Sequence, residues 1–187
     1  MNTENQTSDE VLLTEVRGNI LILTLNRPQA KNAFNAALSQ ALSDALDRFD
    51  EDPKLSVGIL TGAGNSFSSG MDLKALVKGE QSFTKKRGGF GIMMTPPDKP
   101  LIAAIEGYAV AGGLELALSC DLIGAAEDSK LGLPEVKRGL VATGGAFILD
   151  DFDTTEWLLR ITVHLQQQRG AGRQSDQRDL LTVPHAG

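Results

Sequence analysis

Glu115 and Glu135 are the two residues of this chain whose positions best suit acid and base chemistry. Glu115 follows the glycine pair Gly112-Gly113, where a short apolar run gives way to an apolar segment with helical character. The first N–H groups of a helix have no intrahelical partner and lie at the positive end of the helix dipole, so such a junction suits an oxyanion. Glu135 follows Pro134 in a turn. Two carboxylates beside an oxyanion-binding helix start are expected to form an acid/base site for activated acyl substrates.

The segments that must position these carboxylates alternate between strand and helix patterns. Runs of apolar and β-branched residues predict strands, and apolar residues three and four positions apart predict helices. In chain order the predicted elements are a hairpin of Val11–Val16 and Asn19–Leu25 turning at Arg17-Gly18, a helix from Asn35 to Phe49, a strand at Ser56–Thr61, a helix from Asp72 to Val77, a strand at Leu101–Ile105, a turn at Glu106-Gly107 and a helix opening at Leu114. This alternation predicts an α/β fold with layered βα units and a mainly parallel sheet.

The stretch Lys78–Asp98 has the weakest pattern of the chain. It contains Gly88-Gly89, Pro96-Pro97 and the basic cluster Lys85-Lys86-Arg87. Glycine and proline interrupt both helices and strands. The stretch is therefore predicted to be a mobile flap with a weak central helix, and its basic cluster is predicted to face solvent.

The composition argues against several classes of function. The 187 residues suffice for one α/β domain, and the formal net charge of −6 argues against nucleic acid as the main partner. No run of eighteen apolar residues occurs, so no insertion into a membrane is expected. Cys120 is the single cysteine, which excludes an internal disulfide and indicates a reducing compartment. It is predicted to be a small core residue of an apolar helix.

Four sequence blocks together resemble the crotonase family, that is, enoyl-CoA hydratases and isomerases. The blocks are LTLNRPQAKNAFN (Leu23–Asn35), GILTGAGNSFSSGMDLKAL (Gly58–Leu76), IAAIEGYAVAGGLELALSCD (Ile102–Asp121) and LGLPEVKRGLVATGG (Leu131–Gly145). The resemblance covers about Val11 to Gly145. It implies a crotonase-like (ClpP/crotonase) layered βα superhelix. It also implies a hydratase-like lyase that adds water across the 2,3 double bond of an enoyl-CoA thioester.

The resemblance assigns roles to individual residues. It implies that the backbone N–H groups of Met71 and Gly112 hold the thioester oxygen. It implies that Glu115 orients and deprotonates a water for addition at C3, and that Glu135 delivers a proton to C2. The residues expected to contact coenzyme A are Ala30, Lys31, Ser69, Asp72, Leu73 and Lys74. No metal and no separate cofactor are expected, because coenzyme A is part of the substrate.

The family further implies a setting for the activity. The expected partner is an acyl-CoA or enoyl-CoA thioester, and the expected assembly is a homotrimer or hexamer. The expected location is the cytoplasm, and the expected role is in fatty acid metabolism.

The sequence beyond Gly145 does not resemble the helical C-terminal region by which family members complete the acyl pocket and pack trimers. Segment 146–187 contains no lysine, although nine lysines precede it, and it is rich in glutamine and arginine. The predicted organisation is a flexible leader at 1–10, an acyl-CoA-binding core at 11–145 and a poorly ordered tail at 146–187. A reading-frame change or truncation explains such a tail, and a genuine short variant with a shortened lid is the alternative.

Three rival functions differ in the residues that they require. An enoyl-CoA isomerase needs one base, Glu135, to move a proton between carbons, so the presence of Glu115 favours hydration. A non-catalytic fragment that binds acyl-CoA or a full-length partner, or does neither, belongs to a different class. A serine peptidase of similar architecture fails for lack of a histidine in the matched region, since His164 and His185 both lie in the tail.

Overall fold

A computed structural model of the chain describes residues 10–134. Three predictions fall on residues outside this range. They are the position of Glu135, the leader apart from Glu10, and the tail from Ala146 onward.

The described part of the chain contains ten strands and three α-helices. The helices have sixteen, five and seven residues in chain order. The elements are β1 Leu12–Arg17, β2 Ile20–Leu25, α1 Ala36–Glu51, β3 Val57–Gly62, β4 Ser66–Ser68, α2 Leu73–Val77, β5 Phe83–Thr84, β6 Gly88–Gly89, β7 Leu101–Ile105, β8 Tyr108–Val110, α3 Gly112–Leu118, β9 Leu122–Ala125 and β10 Lys130–Gly132, with a 3-10 turn at Pro28–Ala30.

The main sheet has the strand order β1-β2-β3-β7-β9. The β1–β2 hairpin is antiparallel, and the pairs β2–β3, β3–β7 and β7–β9 are all parallel. Leu23 pairs with Leu60, Leu60 pairs with Ala103, and none of the three side chains is exposed. The predicted mainly parallel sheet is confirmed. The hairpin turns at Gly18-Asn19 rather than at Arg17-Gly18, because Arg17 still pairs with Ile20.

Helix α1 covers this sheet through the apolar face that its sequence predicts. The Asn35 side chain accepts a hydrogen bond from the Leu38 N–H and so caps the first turn. The buried apolar residues of the helix are Leu38, Leu42, Ala45, Leu46 and Phe49. Their spacing of three and four residues places them on one side of the helix, where burial removes their apolar surface from water.

A second, three-stranded sheet has β8 in the centre, parallel to both β4 and β10. Strand β8 and the strands β9 and β10 have no counterpart among the predicted elements. Strands of three residues are too short to show a two-residue period, so the sequence pattern around Tyr108–Val110 indicates only a turn. Because β4 and β8 run in the same direction, the segments that follow them, Gly70-Met71 and Ala111-Gly112, emerge at the same edge of the sheet.

The weak central helix predicted within Lys78–Asp98 is wrong. This segment forms the antiparallel β5–β6 pair, it contains no helix, and it buries Phe90 and Ile92 in the core. Lys85 and Lys86 are exposed as expected, but the Arg87 side chain is only 3% exposed. The sequence around Arg87, with two lysines directly before it, indicates a solvent-facing cluster. The burial of Arg87 depends instead on Asp47 and Asp50, about forty positions earlier in the chain.

Arg87 is buried between two carboxylates of α1. Its Nε donates to Asp47 and its Nη2 donates to Asp50, both at 2.6 Å, while Nη1 donates to the carbonyl of Thr95 at 3.0 Å. Burial alone would raise the pKa of Asp47, but hydrogen bonds from Lys86 and Arg87 hold that pKa below its ordinary value. The Arg87 guanidinium therefore attaches the β5–β6 segment to the helix with each donating nitrogen satisfied by a named acceptor.

Replacing Arg87 with methionine is expected to lower the free energy of unfolding by about 2–4 kcal/mol. The loss is smaller than for a wholly buried ion pair because both carboxylates keep some contact with solvent. The matched control is Lys86→Met, which removes an exposed partner of the same Asp47 and should cost about 1 kcal/mol or less. Urea unfolding of both variants measures the difference. Equal losses from the two variants would contradict an anchoring role for Arg87.

Candidate active site

The segment Ser69–Asp72 is held beside residue Phe34 by a parallel β-bridge. The Phe34 N–H donates to the carbonyl of Gly70 at 2.7 Å, and the Asp72 N–H donates to the carbonyl of Phe34 at 2.9 Å. Gly70 and Asp72 both bond to Phe34, and Met71 lies between them. In an extended segment the N–H of such an intermediate residue points away from the bonded partner. The N–H of Met71 therefore points away from Phe34.

The second predicted donor, Gly112, is the first residue of α3. The helix starts two residues earlier than predicted, since the glycine pair belongs to its first turn. The N–H groups of Leu114 and Glu115 both donate to the carbonyl of Ala111, at 2.9 and 3.2 Å. The N–H groups of Gly112 and Gly113 precede these bonds and have no intrahelical acceptor. Ala111 itself has a φ of 53°, a sharp turn from strand β8 into the helix.

The two donor segments touch at Gly70 and Gly112. A Cβ atom on Gly70 would lie 2.7 Å from the amide nitrogen of Gly112, closer than real Cβ contacts allow. Gly70 also has a φ of +83°, a conformation that side chains disfavour. The structure thus places the predicted donors Met71 and Gly112 on adjoining segments, and glycine at position 70 is what permits that approach.

Glu115 lies in the first turn of α3, three residues after Gly112. Residues three apart share a face of a helix, so its carboxylate belongs to the same side of α3 as the helix start. The side chain is buried, with 7% of its surface exposed. Strand β10 runs alongside, and the carbonyl of Gly132 accepts a hydrogen bond from the Ala111 N–H at 2.9 Å. The predicted partner carboxylate, Glu135, lies outside the described residues.

Three of the predicted coenzyme A residues lie together on two neighbouring loops. Ala30 ends the 3-10 turn and is half-buried, and Lys31 follows it in the left-handed region with a φ of 50°. The Ser69 N–H donates to the carbonyl of Lys31 at 3.0 Å, which joins the loops directly. The ammonium of Lys31 is exposed and lies 5.2 Å from the ring centroid of Tyr108.

The other three predicted coenzyme A residues open helix α2, where Asp72 acts as the N-cap. Its carboxylate accepts hydrogen bonds from the N–H groups of Lys74 and Ala75, each at 3.1 Å, and from Arg27 at 3.0 Å. Burial alone would raise the pKa of Asp72, but the hydrogen bonds from Ala75 and Arg27 lower it. Leu73 and Lys74 are exposed. Contact of these residues with coenzyme A stays a prediction.

Sequence reasoning missed Asn32 as an organiser of the site. Asn32 is fully buried, and its side-chain nitrogen donates to the carbonyls of Ala63 and Ser66. Its side-chain oxygen accepts from the Arg27 N–H, and its backbone carbonyl accepts from the Ser68 hydroxyl. An amide side chain is able to satisfy donors and acceptors at once, so Asn32 ties the Lys31 loop to β4. The only sequence signal was an asparagine among turn residues.

Cys120 also differs in detail from its prediction. It lies two residues beyond the end of α3 rather than within the helix, and its thiol contacts the carbonyl of Leu116 at 3.7 Å. Burial, with a smaller contribution from Asp121, raises the pKa of the thiol to about 12. A thiol with such a pKa stays protonated near neutral pH and is a poor nucleophile.

Residues 15–151 match the family model described as enoyl-CoA hydratase/isomerase. The chain belongs to the enoyl-CoA hydratase/isomerase family. All four sequence blocks that carried the resemblance lie inside the matched range.

The chain is also similar in sequence to individual curated proteins. Enoyl-CoA hydratase EchA19 of Mycobacterium tuberculosis is 41% identical over 143 residues, which are 73% of this chain and 54% of the relative. The carnitinyl-CoA dehydratase of Salmonella enteritidis is 44% identical over 145 residues, which are 75% of this chain and 55% of the relative. The chain thus spans about half the length of the curated relatives it matches.

A solved structure confirms the crotonase fold. The crystal structure of enoyl-CoA hydratase EchA1 from Mycobacterium marinum aligns with a TM-score of 0.73 and 61% identity, over 75% of this chain and 55% of that chain. Among residues 10–134, no helix has the length and apolar character needed to cross a membrane.

Two glycine variants test the close approach of the donor segments. Gly70 and Gly79 both have a positive φ, of 83° and 86°, but a Cβ on Gly79 would have no neighbour within 4 Å. Gly79→Ala should therefore cost only the backbone strain, about 1–2 kcal/mol. Gly70→Ala should cost at least about 2 kcal/mol more, because the methyl group meets the amide of Gly112. Chemical unfolding measures both losses, and equal values would contradict the close approach.

The lowered pKa of Asp72 predicts a pH dependence of stability. A carboxyl whose pKa is lower in the folded state stabilises the fold above its unfolded pKa of about 3.9, and this contribution is lost as the pH falls through the folded pKa. Asp72→Asn keeps a capping oxygen but no charge. The wild type should exceed this variant by about 1 kcal/mol at pH 6, and the difference should shrink below about pH 4.

Unfolding by urea at a series of pH values measures that difference. Asp72→Ala is the companion variant, because it removes the cap as well as the charge and should lose stability at every pH. A difference between wild type and Asp72→Asn that is the same at pH 3 and pH 6 would show that the charge on Asp72 contributes nothing to the fold.

Proposed function

We propose that this chain is a hydratase-like lyase that adds water across the 2,3 double bond of an enoyl-CoA thioester. The observation that carries the proposal is the meeting of Gly70-Met71 and Gly112 at one sheet edge, with the buried carboxylate Glu115 one helical turn away. Family membership supports the chemistry, and relatives bear the names enoyl-CoA hydratase, mevalonyl-coenzyme A hydratase and carnitinyl-CoA dehydratase. A dehydratase runs the same reaction in the opposite direction.

In this proposal the backbone N–H groups of Met71 and Gly112 hold the thioester oxygen. Water addition at C3 places negative charge on that oxygen, and fixed N–H donors stabilise such charge because they need no reorganisation during the reaction. Glu115 accepts a proton from the attacking water, whose oxygen bonds to C3. Glu135 gives a proton to C2, which completes the addition of one water. The reaction moves two protons, and this is why two carboxylates are needed.

Coenzyme A, in this proposal, lies along the loops of Ala30 and Lys31 and along Ser69, Asp72, Leu73 and Lys74. The exposed ammonium groups of Lys31 and Lys74 suit phosphate groups, while the hydrogen bond between Ser69 and Lys31 keeps the two loops adjacent. The carboxylate of Asp72 is occupied by α2 and Arg27, so its contribution would come from the backbone. The substrate carries the coenzyme, and no metal or further cofactor takes part.

The setting of the enzyme is also part of the proposal. We infer a homotrimer or hexamer that acts on fatty acyl-CoA thioesters in the cytoplasm, as the family implies. Helix α2 supports association, because its apolar residues Leu73, Leu76 and Val77 are 46%, 44% and 89% exposed. Neighbouring exposed apolar side chains are typical of surfaces that another chain covers.

Isomerisation is the second candidate, since the matching family includes isomerases. Moving a double bond between carbons needs a single base. The buried placement of Glu115 beside the helix start favours hydration, because hydration needs a second proton-transferring carboxylate.

Glu115→Gln and Glu135→Gln are each expected to slow hydration at least about a hundredfold, since each removes a proton-transferring group. The loss of absorbance of crotonyl-CoA measures the rate. Glu106→Gln, an exposed glutamate in the turn between β7 and β8, is the matched control and should retain the wild-type rate. If either active-site variant hydrates at the wild-type rate, its assigned role is wrong. Loss in Glu135→Gln alone, together with turnover of a 3-enoyl-CoA, would indicate isomerase chemistry.

A further inference from the structure

Phe90 adopts a backbone conformation that is rare for a large side chain. Its φ is 52°, and the glycines on both sides of the β6 turn, Gly88 and Gly91, also have positive φ values of 77° and 80°. Glycine accepts such angles without cost, whereas a bulky residue is strained there. Strain of this kind persists only where the surroundings hold the residue, and it is concentrated at functional sites.

The Phe90 ring lies between Phe34 and Gly112. It stacks on the Phe34 ring with centroids 4.6 Å apart and planes inclined by 21°. A Cβ atom on Gly112 would lie 2.7 Å from Cε2 and Cζ of Phe90, so the ring packs directly against the Gly112 backbone. Phe90 is 4% exposed and Phe34 is fully buried. The stack therefore fills the space between the backbone of Phe34 and the start of α3.

Phe34 in turn fixes the segment that carries Met71. Its N–H and carbonyl bond to Gly70 and Asp72, the residues on either side of Met71. The Phe34 carbonyl also accepts from the Ser82 hydroxyl at 2.6 Å, and the Ser82 carbonyl accepts from the Phe90 N–H at 2.8 Å. Phe34 and Phe90 are thus joined through ring and backbone, and each contacts one donor segment.

Contacts with helix α1 hold the segment around Phe90 in place. Arg87, three residues before it, is bound by Asp47 and Asp50 of the helix. Gly91, one residue after it, lies so close to the Ser39 carbonyl that a side chain would not fit. The turn is therefore bound to α1 on both sides of Phe90, and the ring packs against Gly112.

We propose that Phe90 is a positioning residue that sets the spacing of the Met71 and Gly112 amides. Its ring acts as a spacer with the Phe34 ring, so that both N–H groups reach one thioester oxygen. This inference rests on the proposed function. A shorter side chain at position 90 removes the ring that packs against Gly112, so the first turn of α3 shifts and the oxygen loses part of one hydrogen bond. A change of this size in geometry slows the chemical step while leaving the coenzyme A contacts in place.

The test compares Phe90→Leu with Ile92→Val, a second buried residue of the same segment. The probe is butyryl-CoA labelled with carbon-13 at the thioester carbonyl, which is saturated and undergoes no hydration. Its carbonyl stretch, read by isotope-edited infrared spectroscopy, moves to lower frequency when both amides bind the oxygen. We expect a clearly smaller move for Phe90→Leu and the wild-type value for Ile92→Val. With crotonyl-CoA, kcat should fall about 10- to 100-fold in Phe90→Leu, with KM within about twofold.

Failure of the positioning role and failure of the proposed hydratase function give different results. Phe90→Leu with the wild-type carbonyl frequency and kcat overturns the positioning role, even if its melting temperature falls, because a merely structural residue would behave so. Phe90→Met, whose flexible side chain refills the space, makes the same comparison if Phe90→Leu does not fold. A wild-type protein that produces no shift with butyryl-CoA overturns the proposed function, and this inference falls with it.

Discussion

The close approach of Gly70 to Gly112 is the constraint on which the candidate site depends. Two backbone amides are able to bind one oxygen only if their segments lie within a few ångströms, and here no room is left for a Cβ at position 70. The parallel pairing of β4 with β8 brings the segments to the same edge, and the positive φ of Gly70 turns the chain there. The proposed binding of the thioester oxygen thus depends on the path of the backbone rather than on side chains.

Around this contact the polar groups are arranged to hold loops in place. Asn32 bonds to both sides of the β3–β4 connection, Asp72 caps α2 and binds Arg27, and Arg27 also donates to the carbonyl of Ala33. Buried amides and carboxylates are costly unless satisfied, so each of these networks favours a single loop conformation. The loops that carry the proposed coenzyme A contacts are therefore held to neighbouring segments by several hydrogen bonds.

The parts of the fold that were predictable are those with a local signal. Helix α1 has a full apolar stripe, strand β7 is a bounded apolar run, and the glycine pair Gly112-Gly113 indicates a helix start suited to an oxyanion. The specific role of Gly112 as a donor comes from the family resemblance. The site residues that were missed depend on distant partners. Nothing near Arg87 indicates that Asp47 and Asp50 will bury it, and glycines around Phe90 suggest mobility until α1 is present to clamp them.

The origin of the site from separated segments has a consequence for how the protein reaches its native state. Phe34, Met71, Phe90 and Gly112 lie on four different stretches of the chain, and long loops must close before they meet. Contacts between residues far apart in sequence form slowly, because the entropy of loop closure is lost before the contacts stabilise anything. The β1–β2 hairpin and α1 are local and are able to form early. The contacts of the Phe90 ring with Phe34 and Gly112 are therefore expected to form late in folding, after the β1–β2 hairpin and α1.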